Sequence, residues 1–117
     1  MPHDLFGTCP YETAQRIIQG KWTVLILYHI SEGPIRFNEL LRQLPDMTHA
    51  TLSKQLKQME KDGLINRREF MQIPPKVEYS LTEIGQQFVP VLNAIEQWGN
   101  HYIAFLKEQA CVETVEN

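Results

Sequence analysis

The residues with the clearest chemical arrangement lie between Thr48 and Lys61. At about 100° per residue on a helix, Ala50, Ser53, Lys54, Lys57 and Lys61 fall on one side, and Leu52, Leu56 and Met59 on the other. One side is small and basic; the other is an apolar stripe. A helix anchored from behind, with small side chains and lysines facing outward, suits the major groove of DNA. In that docking mode the N-terminal end of the helix meets base edges, which makes Thr48, His49, Ala50, Ser53 and Lys54 the candidate readers. Lys57 and Lys61 are candidates for phosphate contacts, which position the protein without reading sequence. Thr51 is placed facing partly inward or toward the backbone. The bland reading is a solvated lysine face, and spacing alone does not separate the two.

A second candidate is Cys9. Pro10 suits the first position of a helix, so Cys9 falls at its N-cap, where the positive end of the dipole favours a thiolate. An accessible thiolate reacts with oxidants and electrophiles. Cys9 is therefore either a redox-sensing site or a small buried residue at a helix start. Cys111 has no spacing that assigns it a role. Histidines 3, 29, 49 and 101 show no metal-ligand spacing with each other or with the cysteines, and His29 is assigned to the core or an interface. No Gly-rich phosphate loop, nucleophile elbow or pair of catalytic carboxylates is present. No metal, cofactor or enzymatic activity is expected. Trp22, Trp98 and Tyr102 are assigned to packing ahead of a small-molecule pocket.

The elements that position these residues follow from turn and cap chemistry. A first helix opens at Pro10, with Ala14, Ile17 and Ile18 on its apolar face, and Gly20 ends it. Lys21 to Ser31 forms a second helix, apolar nearly all round and so expected to be buried against several neighbours. Gly33-Pro34 stops it. Ile35 to Phe37 has room only for a very short strand. Asn38 is expected to cap a helix to Leu44, with Leu40, Leu41 and Leu44 inward. Pro45-Asp46-Met47 makes the turn, Thr48 caps the next helix, and Gly63 follows its last residue, Asp62.

Beyond Gly63 the period changes. Leu64 to Gln72 and Lys76 to Leu81 read as strands, with Val77, Tyr79 and Leu81 alternating against Lys76, Glu78 and Ser80. Ile73-Pro74-Pro75 between them is a stiff loop. Arg67, Arg68 and Lys76 make this hairpin a basic wing, able to lie along a DNA backbone or reach the minor groove. Arg36 is placed either to touch a phosphate or to pair with Glu39. A final helix starts at Thr82 and is expected to be kinked or divided by Pro90. Its stripe of Phe88, Val91, Leu92, Ile95, Trp98, Tyr102, Phe105 and Leu106 is long for one small domain to cover. Trp98, Tyr102, Phe105 and Leu106 are therefore the candidate dimer interface. The acidic tail from Ala110 to Asn117 is expected to fray.

Composition bounds these readings. The chain has 117 residues, 43% of them hydrophobic, which suits one domain over 1–117 with a proper core. The longest apolar run, Val24 to Tyr28, is far too short to span a bilayer, and no signal-peptide pattern is visible, so a soluble cytoplasmic protein is expected. The net charge of −3 argues against nucleic acid until its distribution is considered. Arg36 to Lys76 holds eight Lys or Arg and five Asp or Glu, a balance of +3, whereas the remainder carries −6. A basic segment sits between acidic flanks.

The chain resembles the HxlR-type family of bacterial winged-helix transcription regulators, related in architecture to the MarR group. The similarity rests on Cys9-Pro10, Gly20-Lys21-Trp22-Thr23, Gly33-Pro34-Ile35-Arg36-Phe37, Leu44-Pro45 and Thr48-His49-Ala50-Thr51-Leu52-Ser53. It continues through Glu60-Lys61-Asp62-Gly63-Leu64-Ile65, Pro74-Pro75-Lys76-Val77-Glu78-Tyr79-Ser80-Leu81-Thr82 and Trp98-Gly99. It implies a mainly α protein with a small β-hairpin wing (α+β). The helix-turn-helix falls at about 38–63, the wing at about 64–81 and a dimerisation helix at about 82–108. It further implies a homodimer on double-stranded DNA with a near-palindromic operator, and a sensor role for Cys9 as in several members. An oxidant or small-molecule effector is admitted, with no membrane partner. The rival reading from another class is a winged-helix module for protein interaction without sequence-specific DNA binding.

Overall fold

The computed structural model describes residues 4–116, with side chains as far as Cys111; His3 and Asn117 lie outside them. Its described elements are helices α1 (Pro10–Ile18), α2 (Thr23–Ile30), α3 (Phe37–Gln43), α4 (His49–Lys61), α5 (Glu83–Gln86) and α6 (Val89–Glu116). Three strands complete it: β1 (Ile35–Arg36), β2 (Ile65–Phe70) and β3 (Lys76–Leu81). This mixture of helices with a small antiparallel sheet is the winged-helix architecture that the sequence implied. The chain forms two compact units, dividing between Gln86 and Gln87.

In the first unit the apolar faces converge on one core. Ile26, Leu27 and Ile30 of α2, Leu40 of α3, and Leu52, Leu56 and Met59 of α4 are buried, joined by Ile65, Tyr79 and Leu81 from the sheet. The expected stripe of α4 is thus its anchor. Each such side chain contributes roughly 1.5–3 kcal/mol on burial, against about 1 kcal/mol for a helix cap. The stripe therefore decides which way α4 faces. Packing of α2 is more one-sided than expected: Leu25 and Tyr28 remain about half exposed. The buried hydroxyl of Thr23 is satisfied by donating to the Gln19 carbonyl at 3.0 Å.

Two boundaries and the sheet differ from expectation. Helix α2 starts at Thr23, because Trp22 serves as its N-cap residue and the Gly20 turn at φ +103° delays it. Asn38 does not cap α3. Strand β1 runs straight into that helix, Arg36 keeps the extended φ −80° and ψ 153° of an N-cap, and Asn38 falls inside the first turn. The wing is also more than a hairpin. Strand β3 pairs with β2 from Ile65↔Leu81 to Phe70↔Lys76 and, on its other edge, with β1 through Ile35↔Tyr79 and Arg36↔Glu78. The resulting order is β1-β3-β2.

The end of α4 is closed by a Schellman motif. The Leu64 N–H donates to the Met59 carbonyl and the Gly63 N–H to the Glu60 carbonyl, both at 3.0 Å, while Gly63 takes φ +82°. The wing strand starts at once.

In the second unit Pro90 divides the final helix as expected. One turn, α5, belongs to the first unit, and Pro90 lies in the first turn of α6, where its missing N–H has no intrahelical role. Helix α6 then continues to Glu116, past the point where fraying was expected.

Candidate nucleic-acid interface

The start of α4 is fixed by two threonines. The Thr51 N–H donates to Thr48 Oγ1 at 3.1 Å, and the Thr48 hydroxyl donates to Thr51 Oγ1 at 2.8 Å. Thr48 therefore spends its donor within the cap, on the Thr51 oxygen. Sequence reasoning placed Thr51 partly inward or toward the backbone; it is half-buried, and its N–H and Oγ1 take part in the cap. The next residue, His49, packs its ring on Phe37 of α3, with centroids 4.5 Å apart at 51°. No sequence signal announces that pair, since it joins the starts of two different helices.

Along the outer side of α4, Ala50, Lys54, Lys57 and Lys61 are exposed and Ser53 is half-buried. A groove of about 470 Å³ separates this side from the sheet. His49, Ser53, Lys57 and Glu60 of α4 line one wall, Arg67, Val77 and Tyr79 the other, and Phe37 also lines it. Its cations are Lys57 and Arg67, with the Glu60 carboxylate among them. The structure thus brings the second turn of α4 and the first wing arginine to the same opening.

The two wing arginines do not act together. Side chains alternate across a strand, so Arg67, opposite Tyr79, and Arg68, opposite Glu78, project from opposite faces of the sheet. Arg67 forms a 2.5 Å ion pair with Glu69. Hydrogen bonds to Glu69 and then to Tyr79 raise its guanidinium above the usual arginine range, so it is permanently charged. On the opposite face Arg68 and Lys76 stack on the Phe70 ring, 4.7 and 4.5 Å from its centroid, and Lys76 also pairs with Glu78 at 2.6 Å. Arg36 lies exposed at the end of β1. Glu39 is paired with Arg42 at 3.2 Å, which disfavours the alternative of an Arg36–Glu39 pair.

Cys9 is the N-cap residue of α1 and half-buried; its side chain makes no capping hydrogen bond, and its carbonyl accepts from the Thr13 hydroxyl at 2.7 Å. Just ahead of it Asp4 and Arg16 form a 2.8 Å ion pair, with the Arg16 guanidinium 5.0 Å from the Phe6 ring centroid. Cys111 is exposed on α6. On the same helix Val91, Ile95, Trp98, Tyr102 and Phe105 follow at alternating spacings of four and three, all at least 38% exposed, with Leu106 beside them. The Trp98 and Tyr102 rings stack at 5.3 Å, and Tyr102 meets Phe105 at 5.4 Å. Among the described residues no group of three His, Cys, Asp or Glu is arranged to hold a metal, and no helix is long and apolar enough to cross a membrane.

Comparison with known proteins gives a consistent result. The model of the HxlR-like helix-turn-helix family matches residues 17–107. The HTH-type transcriptional regulator YdeP of Bacillus subtilis is 46% identical over 99 residues, covering 85% of this chain and 77% of that protein. YkvN, another such regulator from the same organism, is 42% identical over 95 residues, covering 81% of this chain and 80% of its own. Among solved structures, the redox regulator HypR in its reduced form superposes with a TM-score of 0.80 at 39% identity, covering 86% of this chain and 99% of that one.

Proposed function

The chain belongs to the HxlR-like helix-turn-helix family of transcription regulators, and from that premise we propose that it works as a homodimer reading a near-palindromic operator through α4. The observation that carries this reading is the shared groove: the outward side of α4 and Arg67 of the wing border one opening about 470 Å³ in volume. Ala50, Ser53 and Lys54 supply the small and basic surface that reaches base edges, and Lys57, Lys61 and Arg67 meet phosphates. Thr48 and His49 are the exposed polar groups at the helix start, with Thr48 held in place by its cap with Thr51.

A second copy of the chain covers the apolar side of α6. Five large residues at four-and-three spacing form the seam of a helix pair. A two-fold dimer sets its reading helices about 34 Å apart, one turn of the duplex, or a multiple of that distance. Cys9 is the proposed point of oxidant control: its thiol is half-buried at a helix start, and a similar structure is of a redox regulator. The test is binding to duplex selected from a random library, measured against salt. Tight binding whose logarithm falls linearly with log salt supports the reading. If no duplex is bound above bulk DNA, the chain is an interaction module instead.

A further inference from the structure

Among the described residues, the two most exposed large apolar side chains both sit at the tip of the wing. Met71 and Ile73 have relative exposures of 103% and 101%, as open as in an extended chain. They lie beyond the last ladder pair, Phe70↔Lys76, and are followed by Pro74 and Pro75. Neither proline has an N–H and both have a fixed φ, so this tip offers side chains more than backbone donors. Directly behind it the Phe70 ring holds two cations, Arg68 of its own strand β2 and Lys76 of β3, the latter also paired with Glu78. Stacking on a ring face keeps such cations in place beside the tip.

An apolar point with cations at its base matches one kind of surface closely. The minor groove of a duplex has phosphates along both rims and apolar sugar edges between them, and Ile, Met and Pro are among the residues that wedge between its base steps. We propose that Met71 and Ile73 form a wedge that enters the minor groove beside the segment faced by α4, unstacking one base step while Arg68 and Lys76 hold the rim phosphates. This rests on the DNA-reading function proposed above. It adds a recognition element at bases that α4 never touches, because pyrimidine–purine steps such as TA and CA open most easily.

The experiment uses the full chain and a duplex selected by it from a random library, with 2-aminopurine placed in the flanking step. Binding of the unaltered protein raises the 2-aminopurine fluorescence. The Met71→Ser/Ile73→Ser variant, whose fold is checked by circular dichroism, binds about tenfold more weakly. It gives no fluorescence rise and keeps the same salt slope, since every cation that faces a phosphate is still in place. Replacing the flanking TA or CA step by GC weakens the unaltered protein and leaves the variant unaffected. Equal affinity and equal fluorescence for both proteins overturn the wedge and leave the regulator reading standing. So does a loss that persists on a duplex trimmed of its flanks. Failure of the unaltered protein to select any duplex removes both.

Discussion

The Thr82 hydroxyl lies 2.6 Å from the carbonyl oxygen of Gly63, so the residue after the wing is tied to the residue that ends α4. The Thr82 N–H also donates to the Leu64 carbonyl at 3.0 Å, and Thr82 Oγ1 accepts from the Gly85 N–H at 3.1 Å. One side chain closes the base of the wing and starts α5. Thr82→Val keeps the shape and removes the hydroxyl, leaving polar partners unsatisfied. A loss of about 1–3 kcal/mol is expected. Urea denaturation checks it: the midpoint falls while the slope with denaturant stays the same.

Gly85 stands against the same joint. A Cβ at this position would overlap the Leu64 carbonyl oxygen, which is backbone and cannot turn aside. Gly85→Ala is therefore expected to destabilise by more than the ordinary ~1 kcal/mol of a point substitution. Thermal unfolding compared with Gly99→Ala, where nothing lies within 4 Å, makes the contrast. Equal melting temperatures would show that the joint yields.

On α4, the Lys54→Ala/Lys57→Ala double variant is expected to weaken DNA binding and to make the log–log salt slope shallower by about 0.9 for each phosphate no longer neutralised. Fluorescence anisotropy at several salt concentrations measures both quantities. An unchanged slope would mean that another face of the protein meets the duplex.

For α6, Trp98→Asp puts a carboxylate into the stacked aromatic run of Trp98, Tyr102 and Phe105. Burying it in a seam between copies is unfavourable, so the dimer should dissociate at concentrations where the unaltered chain is paired. Analytical ultracentrifugation reads the change. A persistent dimer would place the interface elsewhere.

The Asp4–Arg16 pair gives a pH dependence. The Arg16 hydrogen bond, then the Phe6 N–H, lowers the Asp4 carboxyl below the usual carboxylate range. A depressed acid stabilises the fold above its unfolded pKa and loses that effect as pH falls through the folded value. The clasp should therefore hold at neutral pH and release only on the acid side of the normal aspartate titration. Arg16→Gln should bring the Asp4 midpoint back up. Carbon-13 NMR of the Asp4 carboxyl follows it, and an unmoved midpoint would deny the pairing.

What was legible in the sequence follows the range of the interactions. Thr48, Gly63 and Pro90 punctuate the chain through backbone effects confined to one turn, and each stands where its chemistry placed it. The apolar stripe of α4 was legible because 3.6-residue periodicity is local as well. Strand β1 was legible as a very short extended stretch at Ile35 to Phe37, but not its partners, Tyr79 and Glu78, which lie far along the chain. That strand displaced the start of α3 and took the capping role from Asn38. The stacking of His49 on Phe37 and the separation of Arg67 from Arg68 depend on packing and pleat between elements. Sequence could list those residues, but only the fold shows which of them share an opening.

The turn at Gly63 leaves no slack between helix and wing. With the Schellman bonds on one side and Thr82 on the other, the end of α4 and the start of β2 are fastened at one joint. The angular offset between a major groove and the next minor groove depends on how tightly a duplex is wound. A joint fastened in this way sets one angle between α4 and the wing. On the reading proposed above, relaxed and underwound DNA would present their two grooves to this joint at different angles.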